Sequence, residues 1–163
     1  MARVYVGMGS NIDPERHIPS GLRALRGRFG PLGVSTIYAN PAVGFVGADF
    51  LNLVVGFETG LTVHEVAAGL RSIEAAHLPG GRGSKQESRV LDLDLLLYDD
   101  LVLRTGDLRI PRDEITRHAF VLRPLAEIAG DRCHPLLGAT FAELWASFDQ
   151  GRERLTPVVL TVE

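Results

Sequence analysis

The chain has 163 residues, of which 45% are apolar and 23% charged, and its formal net charge is −3. This length predicts one globular domain over residues 1–163 with a sizeable core, and the mild acidity argues against a general nucleic-acid binder. No apolar run approaches the roughly 20 residues of a membrane helix and the N-terminus has no signal-peptide pattern, so we expect a cytoplasmic protein without membrane attachment.

The first part of the chain predicts a strand followed by a helix. Residues 3–8 alternate and are rich in β-branched and aromatic side chains, which is typical of a strand, and Gly9-Ser10-Asn11 predicts a turn after it. Asp13 and Pro14 suit the N-cap and first position of a helix. Because proline is tolerated best in the first turn, Pro19 predicts that the regular helix begins later than Pro14. The apolar stripe of this helix is Ile18, Leu22, Leu25 and Phe29.

The next segment predicts two strands and a second helix. Residues 34–38 predict a short strand, residues 40–47 a loop rich in proline and glycine, and residues 50–58 a longer strand. Thr62-Val63-His64-Glu65 has the spacing of a capping box, so a helix is expected from there to about residue 77. Glu74 lies near its end, where the helix dipole disfavours a carboxylate, so we expect this side chain to have another partner.

An acidic strand follows at Arg89-Val90-Leu91-Asp92-Leu93-Asp94. Acid and leucine alternate with a period of two, so both aspartates leave one face of a strand while the leucines are buried on the other. The two carboxylates are then about 7 Å apart and repel one another unless a cation lies between them. This favours a site for Mg²⁺, which takes oxygen ligands and keeps phosphate oxygens in its shell. A strand with a solvated acidic face is the alternative.

A basic loop precedes the acidic strand. Residues 78–88 contain Pro79 and several glycines together with Arg82 and Lys85, and Arg89 follows directly. Such a composition is typical of a mobile loop. Beside the aspartates it indicates a lid over a metal-bound polyphosphate, while a solvated linker explains the composition equally well.

The last third of the chain predicts short strands, two helices and a tail. Residues 98–111 predict a hairpin turn and a further strand, and residues 118–129 a helix that is interrupted or begun at Pro124. Thr140-Phe141-Ala142-Glu143 is a second capping box, whose helix turns Phe141, Leu144, Trp145 and Phe148 inward. Residues 155–162 predict an extra strand or a surface extension, within a C-terminal segment of residues 152–163.

The order of these elements is β-α-β-β-α-β, followed by the C-terminal helices and the tail. This split βαβ order predicts an α+β fold, with an antiparallel sheet and helices on one face. Cys133 is the single cysteine, which excludes an internal disulfide.

Short blocks of sequence carry a further signal. They are Gly9-Ser10-Asn11, Pro41-Ala42-Val43-Gly44, Asp49-Phe50-Leu51-Asn52, Arg89-Val90-Leu91-Asp92-Leu93-Asp94 and Phe120-Val121-Leu122-Arg123-Pro124-Leu125-Ala126-Glu127-Ile128-Ala129. Each block alone is a weak signal. In this order and spacing they resemble the 6-hydroxymethyl-7,8-dihydropterin pyrophosphokinase family over nearly the whole chain, up to about Phe148.

The resemblance implies a ferredoxin-like α+β domain and a specific reaction in folate biosynthesis. Such an enzyme transfers the β,γ-pyrophosphoryl group of ATP to the hydroxymethyl oxygen of a reduced pterin and releases AMP. Two Mg²⁺ ions would be held by Asp92 and Asp94. ATP and the pterin would be the partners, with no nucleic acid and no membrane, and we expect a monomer, with a homodimer as the alternative.

The resemblance also implies roles for individual residues. The catalytic set is Asp92, Asp94, Arg89 and Arg82. The nucleotide contacts are Arg71, Glu74, Lys85, Arg89, Leu95, Arg112 and His118. The pterin contacts are Pro41, Val43, Gly44, Phe50, Asn52 and Phe120.

The chain departs from the family pattern in two regions. The tryptophan of the family's basic loop is missing from residues 78–88, where Gln86 is near its place. Arg112 and His118 stand where the family tends to have a histidine and an arginine. These departures leave two alternatives open: a paralogue that acts on a different pterin or alcohol, and a catalytically weak nucleotide- or pterin-binding protein.

Overall fold

A computed structural model of the chain describes residues 1–41, 49–78, 90–151 and 153–160. The strands are β1 (Ala2–Ser10), β2 (Gly33–Val34), β3 (Ile37–Asn40), β4 (Phe50–Thr59), β5 (Asp92–Tyr98), β6 (Leu103–Thr105), β7 (Leu108–Ile110) and β8 (Thr156–Val158). The helices are α1 (Pro14–Phe29), α2 (Val63–Ala76), α3 (Ala119–Ala129) and α4 (Phe141–Ser147), with a 3₁₀ turn at Asp113–Thr116. Among the described helices, none combines the length and the apolar character that crossing a bilayer requires.

The main sheet is antiparallel and has β1 and β4 as inner strands. Its order is β5-β1-β4-β3-β8, and β2 also pairs with β4. The sequence of elements β1-α1-β3-β4-α2-β5 is the split βαβ arrangement, which confirms the α+β prediction. The tail supplies the extra strand β8, which pairs with β3, while β6 and β7 form a separate hairpin.

Helices cover both faces of this sheet. α1 and α2 pack on one face, where their apolar stripes meet the inward side chains of β1, β4 and β5. α3 and α4 pack on the other face around Tyr5, Val54 and Phe141. The prediction that the helices of the split βαβ unit share one face is therefore correct. No face was predicted for the C-terminal helices, which pack on the second face because its apolar side chains need cover.

An irregularity in the pairing of β5 decides which leucines lie on which face. The register between β1 and β5 shifts between Tyr5 and Val6, so Leu96 has no partner in the ladder. Leu95 consequently lies in the core beneath α1 and α2, whereas Leu96 and Leu97 both lie in the core beneath α3 and α4. Simple alternation along the run of leucines does not reveal this arrangement.

Two local predictions are wrong. Gly9 and Ser10 belong to β1 rather than to a turn, because the Gly9 backbone stays paired with β4 and β5. Pro19 lies in the interior of α1 rather than in its first turn. The helix begins at Pro14 with Asp13 as its N-cap, as predicted, although the Asp13 side chain makes no capping bond. The predicted stripe Ile18, Leu22, Leu25 and Phe29 is nevertheless buried. Burial of this stripe against the sheet offsets the hydrogen bond that the proline removes.

The predicted capping boxes are both present. The Thr62 hydroxyl accepts from the Glu65 amide at 3.2 Å and the Glu65 carboxylate accepts from the Thr62 amide at 2.9 Å. Thr140 and Glu143 repeat this pattern at 3.1 and 2.8 Å. Near the end of α2, Glu74 accepts a hydrogen bond from the Leu93 amide at 2.7 Å. This bond to β5 is the partner that its unfavourable position near the helix end predicted.

Glu127 ties α3 to β3, the strand between β4 and β8. Its Oε2 atom accepts from the amide and the hydroxyl of Thr36, each at 2.8 Å, and its Oε1 atom accepts from the Tyr38 hydroxyl at 3.0 Å. Burial, followed by this hydrogen bond and the charge of Glu127, raises the pKa of the Tyr38 hydroxyl. The guanidinium of Arg123 lies over the Tyr38 ring, 4.6 Å from the ring centroid.

We expect Glu127→Ala to lower the free energy of unfolding by about 1.5 kcal/mol, because it removes hydrogen bonds to a charged acceptor that is itself exposed. Urea unfolding followed by circular dichroism measures this change. Glu58→Ala is the control, since its exposed ion pair with Arg3 is 4.0 Å long and should contribute less than about 0.5 kcal/mol. If both variants lost the same free energy of unfolding, the role of Glu127 in holding α3 to β3 would be contradicted.

Candidate active site

A cavity of about 420 Å³ opens on the sheet face that α3 and α4 cover only in part. The strands β1, β4 and β5 form its floor, the chain after β7 forms one side, and the start of α3 forms another. Its lining residues are Gly7, Met8, Gly9, Asn40, Phe50, Asn52, Leu53, Asp92, Asp94, Leu96, Arg112, Glu114, His118, Phe120 and Val121.

Two glycines of β1 form the middle of the floor. Gly7 pairs with Asp94, and Gly9 pairs with Asp92 on one side and with Asn52 on the other. A Cβ atom at Gly9 would lie 2.6 Å from Oδ1 of Asn52, whereas one at Gly7 would meet Leu96 at an ordinary 3.6 Å. Because Gly7 and Gly9 have no side chains, β1 leaves room between the acids of β5 and the amide of Asn52 on β4.

Asp92 and Asp94 stand on the cavity face of β5, as the alternation predicted. Burial, followed by the charge of the neighbouring Asp92 carboxylate, raises the pKa of Asp94 to about 7, although the Arg112 guanidinium opposes both. The carboxylates of Glu74 and Glu114 act in the same direction as Asp92. An excess of negative charge in a partly desolvated site is the condition under which a bound cation stabilises both acids.

Arg112 is the cation that faces these acids within the described residues that line the cavity. Its Nη2 atom lies 3.5 Å from Oδ1 of Asp94 and 3.4 Å from Oε2 of Glu114. Its amide donates to the Leu96 carbonyl at 3.1 Å, which ties this segment to β5. The Nε atom is buried and has no hydrogen-bond partner in the part of the chain that the structure describes. A buried donor that stays unpaired among the described residues costs free energy unless an acceptor reaches it.

The wall opposite the acids carries amides and an aromatic ring. The Asn52 side chain donates to Oδ1 of Asn40 at 2.6 Å, and Asn40 donates to the Pro41 carbonyl at 3.1 Å. These bonds hold Asn52 in one orientation, with Phe50 beside it in the lining. A fixed amide next to a ring suits a flat heterocycle with polar edges.

The start of α3 supplies a second aromatic surface. The rings of His118 and Phe120 stack, with centroids 4.8 Å apart and planes 21° apart. The His118 ring also contacts the C-terminal tail, where its Nδ1 atom lies 3.0 Å from Oε2 of Glu153. The Glu153 carboxylate also accepts from the Ala119 amide at 2.7 Å.

The donor set of β5 fits Mg²⁺. Asp92 and Asp94 offer carboxylate oxygens from one strand face, and Mg²⁺ is commonly held by one or two carboxylates together with waters and substrate phosphates. Within the described residues, no group of three or more histidine, cysteine, aspartate or glutamate side chains has the arrangement of a metal cage. A metal at this point would take its other ligands from waters and from a phosphate substrate.

Some residues with predicted roles lie away from the cavity. Leu95 has its side chain in the core beneath α1 and α2, since it points away from the aspartates. Arg71 is exposed on α2, and Glu74 is engaged by the Leu93 amide. Pro41 is exposed, and its carbonyl accepts from Asn40. Val43, Gly44, Arg82, Lys85 and Arg89 lie outside the described residues.

Other lining residues were not among the predicted site residues. Gly7, Gly9, Asn40, Leu96 and Glu114 all line the cavity. The signal for Gly9 was present, because a glycine within an alternating strand marks a place where another group approaches closely. Glu114 is brought to Arg112 by the 3₁₀ turn, and Glu153 reaches His118 from the tail. No sequence pattern predicts the contact of Glu114 with Arg112 or that of Glu153 with His118.

Comparison with known proteins adds a family-level result. Residues 5–130 match the sequence profile of the family described as 7,8-dihydro-6-hydroxymethylpterin-pyrophosphokinase (HPPK). Three relatives named 2-amino-4-hydroxy-6-hydroxymethyldihydropteridine pyrophosphokinase match most of the chain. The protein of Aquifex aeolicus is 33% identical over 83% of this chain and 86% of its own length. The protein of Methylorubrum extorquens is 37% identical over 95% of this chain and 99% of its own length. The protein of Pseudomonas aeruginosa is 34% identical over 94% of this chain and 96% of its own length.

Solved structures share the fold. The wild-type HPPK-DHPS of Plasmodium falciparum superposes with a TM-score of 0.69 at 12% identity, over 89% of this chain and 44% of that chain. A structure of HPPK-DHPS in complex with substrates gives a TM-score of 0.70 at 11% identity, over 90% and 45%. The chain thus spans less than half the length of these solved proteins, and the likeness at such low identity concerns the fold.

Proposed function

Because the chain belongs to the 7,8-dihydro-6-hydroxymethylpterin-pyrophosphokinase family, we propose that it transfers pyrophosphate from ATP to 6-hydroxymethyl-7,8-dihydropterin in folate biosynthesis. The hydroxymethyl oxygen attacks the β-phosphorus of ATP, and the bond from that phosphorus to the oxygen of the α-phosphate breaks. AMP leaves, the alcohol proton is released, and the pterin diphosphate is formed. In-line positioning and neutralisation of charge are the main requirements of such a transfer.

The acidic side of the cavity is the proposed phosphate end. Asp92 and Asp94 would hold Mg²⁺, expected as two ions, which when bound neutralise phosphate charge and lower the pKa of the attacking alcohol. Arg112 supports this placement, because its guanidinium Nη2 lies beside the acids and can donate to a phosphate oxygen. His118 offers a further ring nitrogen on the same cavity. Arg82, Lys85 and Arg89 remain predicted phosphate contacts.

The opposite side is the proposed pterin end. Phe120 offers a ring face for stacking, and the amide of Asn52, fixed by Asn40, offers a donor and an acceptor edge. Phe50 lies in the same lining. Val43, Gly44 and Pro41 remain predicted contacts of the adjoining segment. Arg71, Glu74 and Leu95 remain predicted nucleotide contacts.

The observation that carries the proposal is that one cavity joins the acid pair of β5 to the amide and aromatic wall of β4 and α3. Under this proposal a metal-bound triphosphate and a flat ring are placed side by side. Such a juxtaposition aligns the two substrates for transfer without a side-chain nucleophile.

The direct test is AMP formation from ATP and Mg²⁺ with and without 6-hydroxymethyl-7,8-dihydropterin, with the mass of the product recorded. We expect AMP only when the pterin is present, together with a pterin heavier by one pyrophosphoryl group. Binding of both ligands without AMP would overturn the proposal in favour of a weak binding protein. AMP formed only with another alcohol would favour a paralogue.

We further propose that the catalytic unit is one domain over residues 1–163, with residues 152–163 as a C-terminal extension. A monomer in the cytoplasm is expected, and a homodimer is the alternative. Size-exclusion chromatography with light scattering distinguishes the two oligomeric states.

A further inference from the structure

The C-terminal segment of residues 153–158 reaches both sides of the cavity. Glu153 contacts His118 and the first amide of α3. A few residues later, β8 pairs with β3, with Thr156 opposite Ala39. Asn40, the next residue of β3, holds Asn52 at the other wall. This segment lies beyond residues 5–130, which match the family profile.

Glu153 caps the start of α3, where the N-cap residue itself makes no side-chain capping bond. His118 occupies the N-cap position of α3 without a side-chain capping bond. The free amides at the start of a helix need acceptors, and a carboxylate there is favoured by the helix dipole. The Glu153 carboxylate accepts from the Ala119 amide at 2.7 Å although it lies 34 residues away in sequence. The start of α3 is thereby anchored by the tail.

The same carboxylate holds the ring of His118. Because an ionised carboxylate only accepts hydrogen bonds, Nδ1 of His118 donates across the 3.0 Å contact. This contact sets the rotation of the imidazole about its side-chain bonds, and Nε2 is the ring nitrogen without a hydrogen bond to another described residue. The imidazole stacks on Phe120 at 4.8 Å, so its orientation restricts that ring as well. Both rings line the cavity.

We propose that Glu153 is a positioning residue that, through the ring of His118, holds Phe120 in place for the pterin. This inference rests on the proposed function for the identity of the ligand. Glu153 does not touch the reacting atoms, and it acts through the two rings and the first turn of α3. The tail is accordingly part of the binding site rather than an appendage.

The test measures pterin affinity by fluorescence titration in Glu153→Ala, Glu153→Gln and a matched control. The control is Glu65→Ala, which also removes a carboxylate bound to an amide at a helix start, at 2.9 Å and away from the cavity. We expect Glu153→Ala to raise the Kd for the pterin about tenfold. Glu153→Gln should stay within about threefold of the wild type, because its amide oxygen can accept from Ala119 and its NH2 group can donate to Nδ1 once the imidazole carries its proton on Nε2. Glu65→Ala should bind like the wild type.

A second readout does not depend on any ligand. In protein with ¹⁵N-labelled histidine, the ring signals of His118, assigned with a His118→Asn variant, should shift in Glu153→Ala and remain unshifted in Glu65→Ala. Unchanged ring signals together with unchanged affinity in Glu153→Ala would overturn the positioning role. Glu153→Gln as weak as Glu153→Ala would also overturn it, since charge rather than hydrogen bonding would then be required. If the wild type does not bind the pterin, the proposed function fails while the ring signals still test the positioning of His118.

Discussion

Replacing Asp94 with asparagine is expected to lower turnover by about a thousandfold or more while leaving the metal-free protein at least as stable as the wild type. The first effect follows from the loss of a charged oxygen ligand at the proposed phosphate end of the cavity. The second follows from the electrostatics of the site. Burial and the neighbouring Asp92 raise the pKa of Asp94 to about 7, so the ionised form is unfavourable in the fold.

The pH dependence of stability tests whether the stability of Asp94→Asn comes from removing a carboxylate with a raised pKa. The folded protein binds the Asp94 proton more tightly than the unfolded chain, whose pKa is near the ordinary 3.8. The stabilisation from that proton is therefore fully present at low pH and is lost as the pH rises through about 7. We expect the stability advantage of Asp94→Asn over the wild type to grow from about pH 4 and to level off above about pH 7.

The measurements are urea unfolding between pH 4 and 8 without divalent metal, and turnover with Mg²⁺ and both substrates. Asp107→Asn, at an exposed turn between β6 and β7, is the control and should change neither quantity. Mg²⁺ with a non-hydrolysable ATP analogue should raise the melting temperature of the wild type more than that of Asp94→Asn. Wild-type turnover in Asp94→Asn would overturn the metal assignment. A stability difference that does not depend on pH would contradict the raised pKa.

Gly9→Ala is expected to weaken pterin binding about a hundredfold with only a small loss of stability. The added Cβ atom would lie 2.6 Å from Oδ1 of Asn52, closer than two such atoms approach. The Asn52 side chain can rotate away because its end is flexible, so the fold survives. That rotation breaks the 2.6 Å bond to Asn40 and misaligns the amide proposed to recognise the pterin.

Gly7→Ala is the matched comparison on the same strand and the same face. Its Cβ atom would meet Leu96 at 3.6 Å, an ordinary contact, and it would leave the bond between Asn40 and Asn52 intact. We expect this variant to lose less than about fivefold in pterin affinity, measured by the same fluorescence titration. Equal losses in the two variants would show that filling the cavity, rather than displacing Asn52, weakens binding. Unchanged affinity in Gly9→Ala would remove Asn52 from the pterin site.

Local patterns in the sequence predict much of the fold because they report local interactions. The capping boxes at Thr62 and Thr140 involve residues three positions apart, so their hydrogen bonds can be inferred without knowing the fold. The alternation around Asp92 and Asp94 assigns both acids to one face of a strand for the same reason. Local rules fail at Pro19, where burial of the apolar stripe of α1 outweighs the cost of proline inside the helix.

The packing of α3 and α4 on the second face of the sheet could not be predicted from local patterns. Pairing of strands and packing of helices join residues that are distant in sequence, and the register shift at Leu96 reverses the alternation within a run of leucines. The face that each leucine occupies therefore depends on how β5 pairs with β1. The same pairing sets Gly9 between Asp92 and Asn52.

The sequence by itself determined the order of elements, the acid pair of β5 and the resemblance to a family, because these rest on periodicity and on short motifs. Only the tertiary structure decided that glycines of β1 make the floor of the cavity, that Arg112 faces Asp94, and that Glu153 holds His118. The physical reason is distance along the chain. A contact between residues 34 positions apart exists only once the sheet, α3 and the tail have come together.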